Sequence, residues 1–178
     1  MRIARAVAVV AVLSLLGLLV WDVAHGNGPG AAQQVDKGKI VPAPALDLPR
    51  LNGAGRMTLA SLRGKVVVVN FWQSSCVPCK QEARELAKTA DAWKGKGVVF
   101  LGVNAQDLEG PAHAYLKRYG VTYPNVRDGI GATWPKWGVV GVPETFFVDR
   151  RGQLVPPHIV GPASRSELDA GIRRAQQT

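Results

Sequence analysis

The sequence predicts an α/β fold, a central mixed sheet with helices on both faces, preceded by an N-terminal hydrophobic helix. Three observations carry this. The run Val66 to Phe71 is apolar except for Asn70, as expected of a strand buried on both faces. A helical pattern from Lys80 to Lys94 follows, with Ala83, Leu86, Ala87, Ala90 and Trp93 on one face. The strand-then-helix order recurs, and the chain closes on a hairpin and a last helix.

The elements follow in chain order. Arg2 and Arg5 precede an apolar run from Ala6 to Trp21, broken only by Ser14 and Gly17. It exceeds a signal-peptide core and falls a little short of the roughly 20 residues of a membrane span. Val23 and Ala24 extend it, while Ala24-His25-Gly26 makes a poor cleavage site and no cysteine offers lipid attachment. Residues 1–25 are therefore expected to form an uncleaved signal anchor, with secretion after cleavage as the alternative. The two arginines keep its start in the cytoplasm and place the rest of the chain outside. Residues 26–42, rich in Gly, Ala, Gln and Pro, read as a flexible linker, and residues 43–178 as the domain.

Within that domain, Leu46–Leu48 and Arg56–Thr58 are expected to pair across the Asn52-Gly53-Ala54-Gly55 turn. Leu59 to Leu62 makes a helical turn stopped by Gly64. Gly95 and Gly97 end the long helix, and Val98 to Val103 is a second buried strand. Pro111 to Tyr119 is a helix with proline in its first turn and Gly120 as its stop. Tyr123 to Val126 is a further strand, and residues 129–137 are irregular or briefly helical. Thr145–Val148 and Gln153–Val160 form a hairpin around Asp149-Arg150-Arg151-Gly152. Ser164 opens the last helix, and Glu167 completes a capping box.

The chemistry lies between the first long strand and its helix. Both cysteines of the 178-residue chain stand there, in Cys76-Val77-Pro78-Cys79. A Cys-x-x-Cys pair at a strand–helix junction is a thiol–disulfide redox signal. Cys76 falls at the helix N-terminus, where unpaired N–H groups favour thiolate, the attacking species. Structural zinc needs about four ligands, which two cysteines and three scattered histidines do not readily supply. A purely structural disulfide closing so short a loop would constrain little of the unfolded chain. No Thr-x-x-Cys arrangement of the peroxidase kind precedes Cys76.

The net charge of +9 is spread along the chain. It suits acidic partners or anionic headgroups, but without a basic run or interleaved aromatics nucleic acid is not expected. His25, His113 and His158 are isolated in the sequence and receive no role.

Phe71-Trp72-x-x-x-Cys76-x-Pro78-Cys79-Lys80, followed by Gly141-Val142-Pro143-Glu144-Thr145-Phe146, resembles the thioredoxin-fold family. More narrowly, it is similar to the membrane-tethered, extracytoplasmic thiol–disulfide oxidoreductases of the TlpA, ResA and CcmG (DsbE) type. The resemblance covers about Ala43 to the end. It implies a thioredoxin-like fold and a cis peptide before Pro143, opposite the cysteines. It implies a client-binding face at Trp72, Val77, Pro78 and Val142, and no cofactor beyond the redox-active Cys76–Cys79 disulfide. Asn70 stands where thioredoxin has a buried aspartate. Glu82 matches a carboxylate of the ResA-like branch, and Pro143-Glu144-Thr145-Phe146 is closest to CcmG-like members. Val103-Asn104-x-Gln106-Asp107 and Tyr119-Gly120-Val121 resemble an insertion of the ResA-like branch. Many relatives have tryptophan before the first cysteine. This chain has Ser75, with Trp134 or Trp137 as candidates for an aromatic wall.

The expected mechanism is attack by Cys76 on a client disulfide, followed by resolution by the more buried Cys79. Asn70 cannot accept the Cys79 proton, so Glu144 or Glu82 is the expected base. Glu144 is favoured by its place beside Pro143, while Glu82 reads equally well as a solvated residue paired with Lys80 or Arg84. Reduction is the expected direction, because Val77 offers no charge or side-chain donor to hold Cys76 as a stable thiolate. The resemblance suggests apocytochrome c as client and implies a membrane-embedded thiol electron donor. A dithiol oxidase or a Cu(I)-binding or delivery module would use the same two cysteines.

Overall fold

The computed structural model describes residues 12–18 and 30–178. Residues 12–18 are helical. The remainder of the expected anchor lies outside the described residues, among which no helix is long and apolar enough to cross a membrane.

Eight strands follow: β1 (Val41–Pro42), β2 (Asp47–Pro49), β3 (Arg56–Thr58), β4 (Val66–Trp72), β5 (Val98–Ala105), β6 (Asn125–Asp128), β7 (Glu144–Val148) and β8 (Gln153–Val160). The helices are α1 (Ala31–Asp36), α2 (Val77–Trp93), α3 (Glu109–Tyr119), α4 (Trp134–Trp137) and α5 (Arg165–Gln177). The main sheet runs β1-β8-β7-β4-β5-β6, and β2–β3 is a separate hairpin. β4 pairs in parallel with β5 and β5 with β6, whereas β7 and β8 are antiparallel, so the expected mixed sheet is present.

β4 is buried along its whole length, and strand alternation sorts its side chains between two cores. Val67, Val69 and Phe71 join Leu101, Val103, Phe146 and Val148 on one face, beneath Trp137, Leu59 and Leu62. Val66 and Val68 join Phe100 and Phe147 on the other, against Leu86 of α2 and Leu168 and Ile172 of α5. α3 packs on the same side, where Ala112 and Tyr115 meet Trp72, Ala83 and Ala87. The three longer helices thus share one face, and the shorter α1 and α4 cover the other with the hairpin.

Gly171 sits inside α5, where glycine is ordinarily unfavourable. A Cβ there would collide with the Phe147 ring, so the missing side chain lets α5 settle onto β7. Ser164 and Glu167 form the expected capping box at the start of α5.

The flexible linker expected over residues 26–42 needs correction for residues 30–42. Ala31, Ala32 and Val35 are buried in the first core, and Val41–Pro42 pairs with Gln153–Leu154 at the sheet edge. These residues pack because the small apolar side chains of α1 share one face and fit close to β8 and α4.

Candidate active site

Cys76 is the N-cap of α2, and its Sγ accepts a hydrogen bond from the Cys79 N–H at 3.0 Å. Pro78 occupies the first turn, where a missing N–H costs nothing. Cys76 and Cys79 form a disulfide with Cα atoms 5.3 Å apart. Cys79 is fully buried, whereas Cys76 is half-buried. The Val142–Pro143 peptide is cis, and the Val142 carbonyl oxygen lies 3.4 Å from Cys76 Sγ. The structure therefore brings Cys76, Cys79, Val142 and Pro143 together.

Two depressions lie beside the cysteine pair. One, of about 230 Å³, is lined by Pro78, Val140, Val142, Pro143, Val160 and Pro162. Val140 and Val160 are large apolar side chains left in solvent there, at 80% and 67% exposure, and Val77, next to Pro78 in the chain, is 63% exposed. The other is a cleft of about 730 Å³ between Ser74–Ser75 and α3, with Lys80, Arg118 and Tyr119 in its walls. A cavity of about 520 Å³ near Lys65, Lys94 and Tyr123 opens where β4 and β5 begin, at the end of the sheet away from the cysteines.

Sequence reasoning missed Asp107 as a support of the site. Its carboxylate accepts from the Ser74 N–H at 2.6 Å and Ser74 Oγ at 2.8 Å, and from Asn104 Nδ2 and the Leu108 N–H, both at 2.8 Å. It pins the loop that delivers Cys76. Burial would raise its pKa, but the bonds from Asn104, Ser74 and Leu108 together hold it below the usual range. An aspartate following a strand and preceding a helix was the available signal.

Glu82 lies three residues beyond Cys79, on the same side of α2. It is buried, with Oε1 accepting from Asn70 Nδ2 at 2.8 Å and Oε2 from the Ala163 N–H at 2.7 Å. Asn70 also donates to Thr145 Oγ1 at 3.0 Å. Burial pushes the Glu82 carboxyl up to about 7, against the pull of the bonds from Ala163 and Asn70. The alternative of a solvated Glu82 paired with Lys80 or Arg84 does not describe this residue, because its carboxylate points into the fold.

Glu144 requires a correction of placement. In the β4–β7 register Asn70 faces Thr145 and Phe71 faces Glu144. Paired residues share a face, so Glu144 lies across the sheet from Glu82 and Asn70. Its Oε1 accepts from the Val140 N–H at 2.9 Å and the Gly141 N–H at 3.0 Å, and its Oε2 lies 3.0 Å from His158 Nε2. Its carboxylate holds the loop leading to Pro143 instead of turning toward the sulfurs. His158 is correspondingly not isolated.

Trp72, expected on the client-binding face, is also corrected. It is buried, stacks on Tyr115 at 4.4 Å and donates from Nε1 to Asn125 Oδ1 at 2.9 Å. Gly102 makes room for this bond, since a Cβ there would collide with the Asn125 amide. Tyr115 donates from its hydroxyl to the Cys79 carbonyl at 2.6 Å, so Trp72 acts on the site from beneath. Trp137 is fully buried against Phe71 and Phe146 and provides no exposed aromatic wall.

The AhpC/TSA family matches this chain over residues 41–156. The thiol:disulfide interchange protein HelX of Rhodobacter capsulatus is 37% identical over 168 residues, covering 90% of this chain and 93% of HelX. The thiol:disulfide interchange protein DsbE of Pseudomonas fluorescens biotype C is 39% identical over 114 residues, 64% of this chain. The thiol-disulfide oxidoreductase ResA of Bacillus subtilis is 34% identical over 113 residues, again 64% of this chain. The matches span 62% of that DsbE and 63% of that ResA. Among solved structures, a putative thiol:disulfide interchange protein DsbE from Chlorobium tepidum superposes with a TM-score of 0.70 at 29% identity. That superposition covers 77% of this chain and 96% of the other.

Proposed function

The chain belongs to the AhpC/TSA family and has a thioredoxin-like fold, and from that premise we propose that it is a thiol–disulfide oxidoreductase working outside the cytoplasmic membrane as a reductase of protein disulfides. One observation carries the reading. A half-buried Cys76 caps a helix over a fully buried Cys79 and faces the cis Val142–Pro143 peptide.

The reaction begins with the reduced pair. The helix N-terminus and the Cys79 N–H stabilise the Cys76 thiolate. A client segment lies extended along Val142, whose backbone offers main-chain hydrogen bonds, and Pro143 leaves no N–H pointing at sulfur. Val77, Pro78, Val140 and Val160 receive its apolar side chains. Cys76 attacks one sulfur of the client disulfide and the other leaves as thiolate, giving a mixed disulfide. Cys79 then gives up its proton and attacks Cys76 Sγ. The Cys76–Cys79 disulfide forms, and the client leaves as a dithiol carrying two electrons. Glu82 takes the Cys79 proton, directly or through water, because its pKa near neutrality suits a base that must later release it.

Val77 supplies no charge to stabilise the reduced form, which favours reduction as the working direction. Each turnover leaves the protein oxidised, so a membrane-embedded thiol donor must restore it. A c-type haem attachment site, Cys-x-x-Cys-His, must be reduced before it can take haem. Apocytochrome c is thus the proposed client, following the resemblance to CcmG-like proteins. The N-terminal segment holds the domain at the outer face of the membrane. The test is the equilibrium potential of the Cys76–Cys79 couple against glutathione. A value near or below roughly −200 mV is expected of a reductase, and one near roughly −120 mV would mark an oxidant and reverse the assignment.

A further inference from the structure

A chain of polar contacts enters the client-docking loop from a helix that the sequence placed outside the domain. Asp36, the last residue of α1, has Oδ1 3.1 Å from His158 Nδ1. His158 Nε2 lies 3.0 Å from Glu144 Oε2, and Glu144 Oε1 accepts the Val140 and Gly141 N–H groups. We propose that His158 is the positioning residue for the loop from Val140 to Pro143, acting through Glu144, and that Asp36 makes α1 part of the working site. The proposal rests on reading that loop as the client-docking segment and specifies what holds it in place.

The geometry asks for a cation. Each ring nitrogen faces a carboxylate oxygen, and a neutral imidazole has only one N–H. One contact would then set a lone pair against a carboxylate, whereas an imidazolium donates at both. The ring has little freedom to turn away, since its side chain is 3% exposed and stacks on Phe146 at 4.2 Å. The charged groups facing it are Asp36 from α1 and Glu144 from β7, while β1 and β8 contribute no other charge. Burial would depress the His158 pKa, but the contacts with Glu144 and Asp36 outweigh it and raise the value above the ordinary 6.5. The stabilisation from the charged ring is therefore complete below that ordinary value and is lost as pH rises through the raised one. Glu144 then loses its cationic partner, and its hold on the Val140 and Gly141 amides weakens.

The test follows single turnovers of the full-length reduced chain with two disulfides in excess, the half-saturating concentration serving as KM and the limiting rate as kcat. One is a peptide with an oxidised Cys-x-x-Cys-His sequence, which must dock. The other is 5,5′-dithiobis(2-nitrobenzoate), which reaches Cys76 without an extended segment. His158→Phe removes both donors and is expected to raise KM for the peptide about tenfold, the scale of one lost charged hydrogen bond. Its kcat for the peptide and its rate with the small disulfide should fall far less. Wild-type KM for the peptide should rise with pH above the ordinary histidine range. Asp36→Asn should flatten that rise, while Asp36→Glu keeps it. His158→Gln returns a donor to Glu144 without charge, so it should recover part of the affinity and none of the pH dependence. Unchanged peptide KM and an unchanged pH profile in His158→Phe and Asp36→Asn would overturn the proposal alone. If His158→Phe does not fold, Asp36→Asn decides the matter, since Asp36 is half exposed. A wild-type chain that reduces neither disulfide overturns the oxidoreductase reading and the proposal with it.

Discussion

The two cysteines differ in what surrounds them, and that difference assigns their roles. Cys76 caps α2 and remains reachable, whereas Cys79 is sealed beneath it with its carbonyl held by Tyr115. Iodoacetamide should therefore modify Cys76 of the reduced protein far faster near neutral pH. Cys79→Ser should accumulate mixed disulfides with clients and Cys76→Ser none; preferential labelling of Cys79 would reverse the roles. Glu82 carries the second expectation at this scale. Its folded pKa of about 7 against an ordinary 4.5 disfavours the charged form by about 3 kcal/mol. The unfolded chain loses this proton more readily, so stability should decline as pH rises from about 4.5 to about 7 and level off above. Glu82→Gln should remove that slope in urea titrations. It should also slow resolution of the mixed disulfide in stopped-flow single turnovers, on the order of 10²-fold, leaving the first attack by Cys76 intact. Resolution at the wild-type rate would make water the base. Glu144→Gln should act on docking, because its carboxylate lies across the sheet from Asn70 and Glu82.

Among the elements, those with strong periodicity were legible and those defined by their neighbours were not. β4, β5 and α2 could be read because unbroken valine runs and a regular apolar helix face have few other uses. Only their ends moved: α2 begins at Val77, and β5 extends to Ala105. α1 was unreadable, since Ala31, Ala32 and Val35 form too short a stripe to signal burial without β8 beneath them. The face taken by Glu144 depends on β4–β7 register, which no local pattern reveals. His158 gained its role from Asp36, 122 positions away in sequence. β8 was read correctly despite Pro156 and Pro157, and β1 pairs only with its first residues, leaving that prolyl stretch without a strand partner on that side among the described residues. The Ser74–Cys76 loop gives the expectation at this scale. Asp107→Asn keeps the shape but cannot accept all four bonds, so stability should drop by about 2 kcal/mol. Exchange of the Ser74 amide should rise with it. An unchanged exchange rate would show that α2 alone sets the cysteine loop.

For the molecule as a whole, the decisive matter is where the folded unit starts and whether the N-terminal segment holds it at a membrane. If residues 1–25 act as an anchor, the full-length chain should stay with membranes through a carbonate wash, and a soluble product beginning after Gly26 would decide for cleavage. The sequence placed the start of the domain at residue 43, on the composition of residues 26–42. The structure puts α1 and β1 in contact with β8, so a cut at 43 removes buried material and not slack. It strips Ala31, Ala32 and Val35 from beside Trp137, frees the β8 edge and leaves His158 with Glu144 as its only carboxylate. Burial of one valine and two alanines is worth about 3 kcal/mol, and loss of Asp36 adds to it. A chain of residues 30–178 should therefore unfold at a clearly higher urea concentration than one of residues 43–178. The gap should narrow as pH rises through the raised His158 value, because the Asp36 contribution fades while the apolar part persists. Equal midpoints for the two chains would mean that α1 is carried by the domain without supporting it, and would restore residue 43 as the boundary.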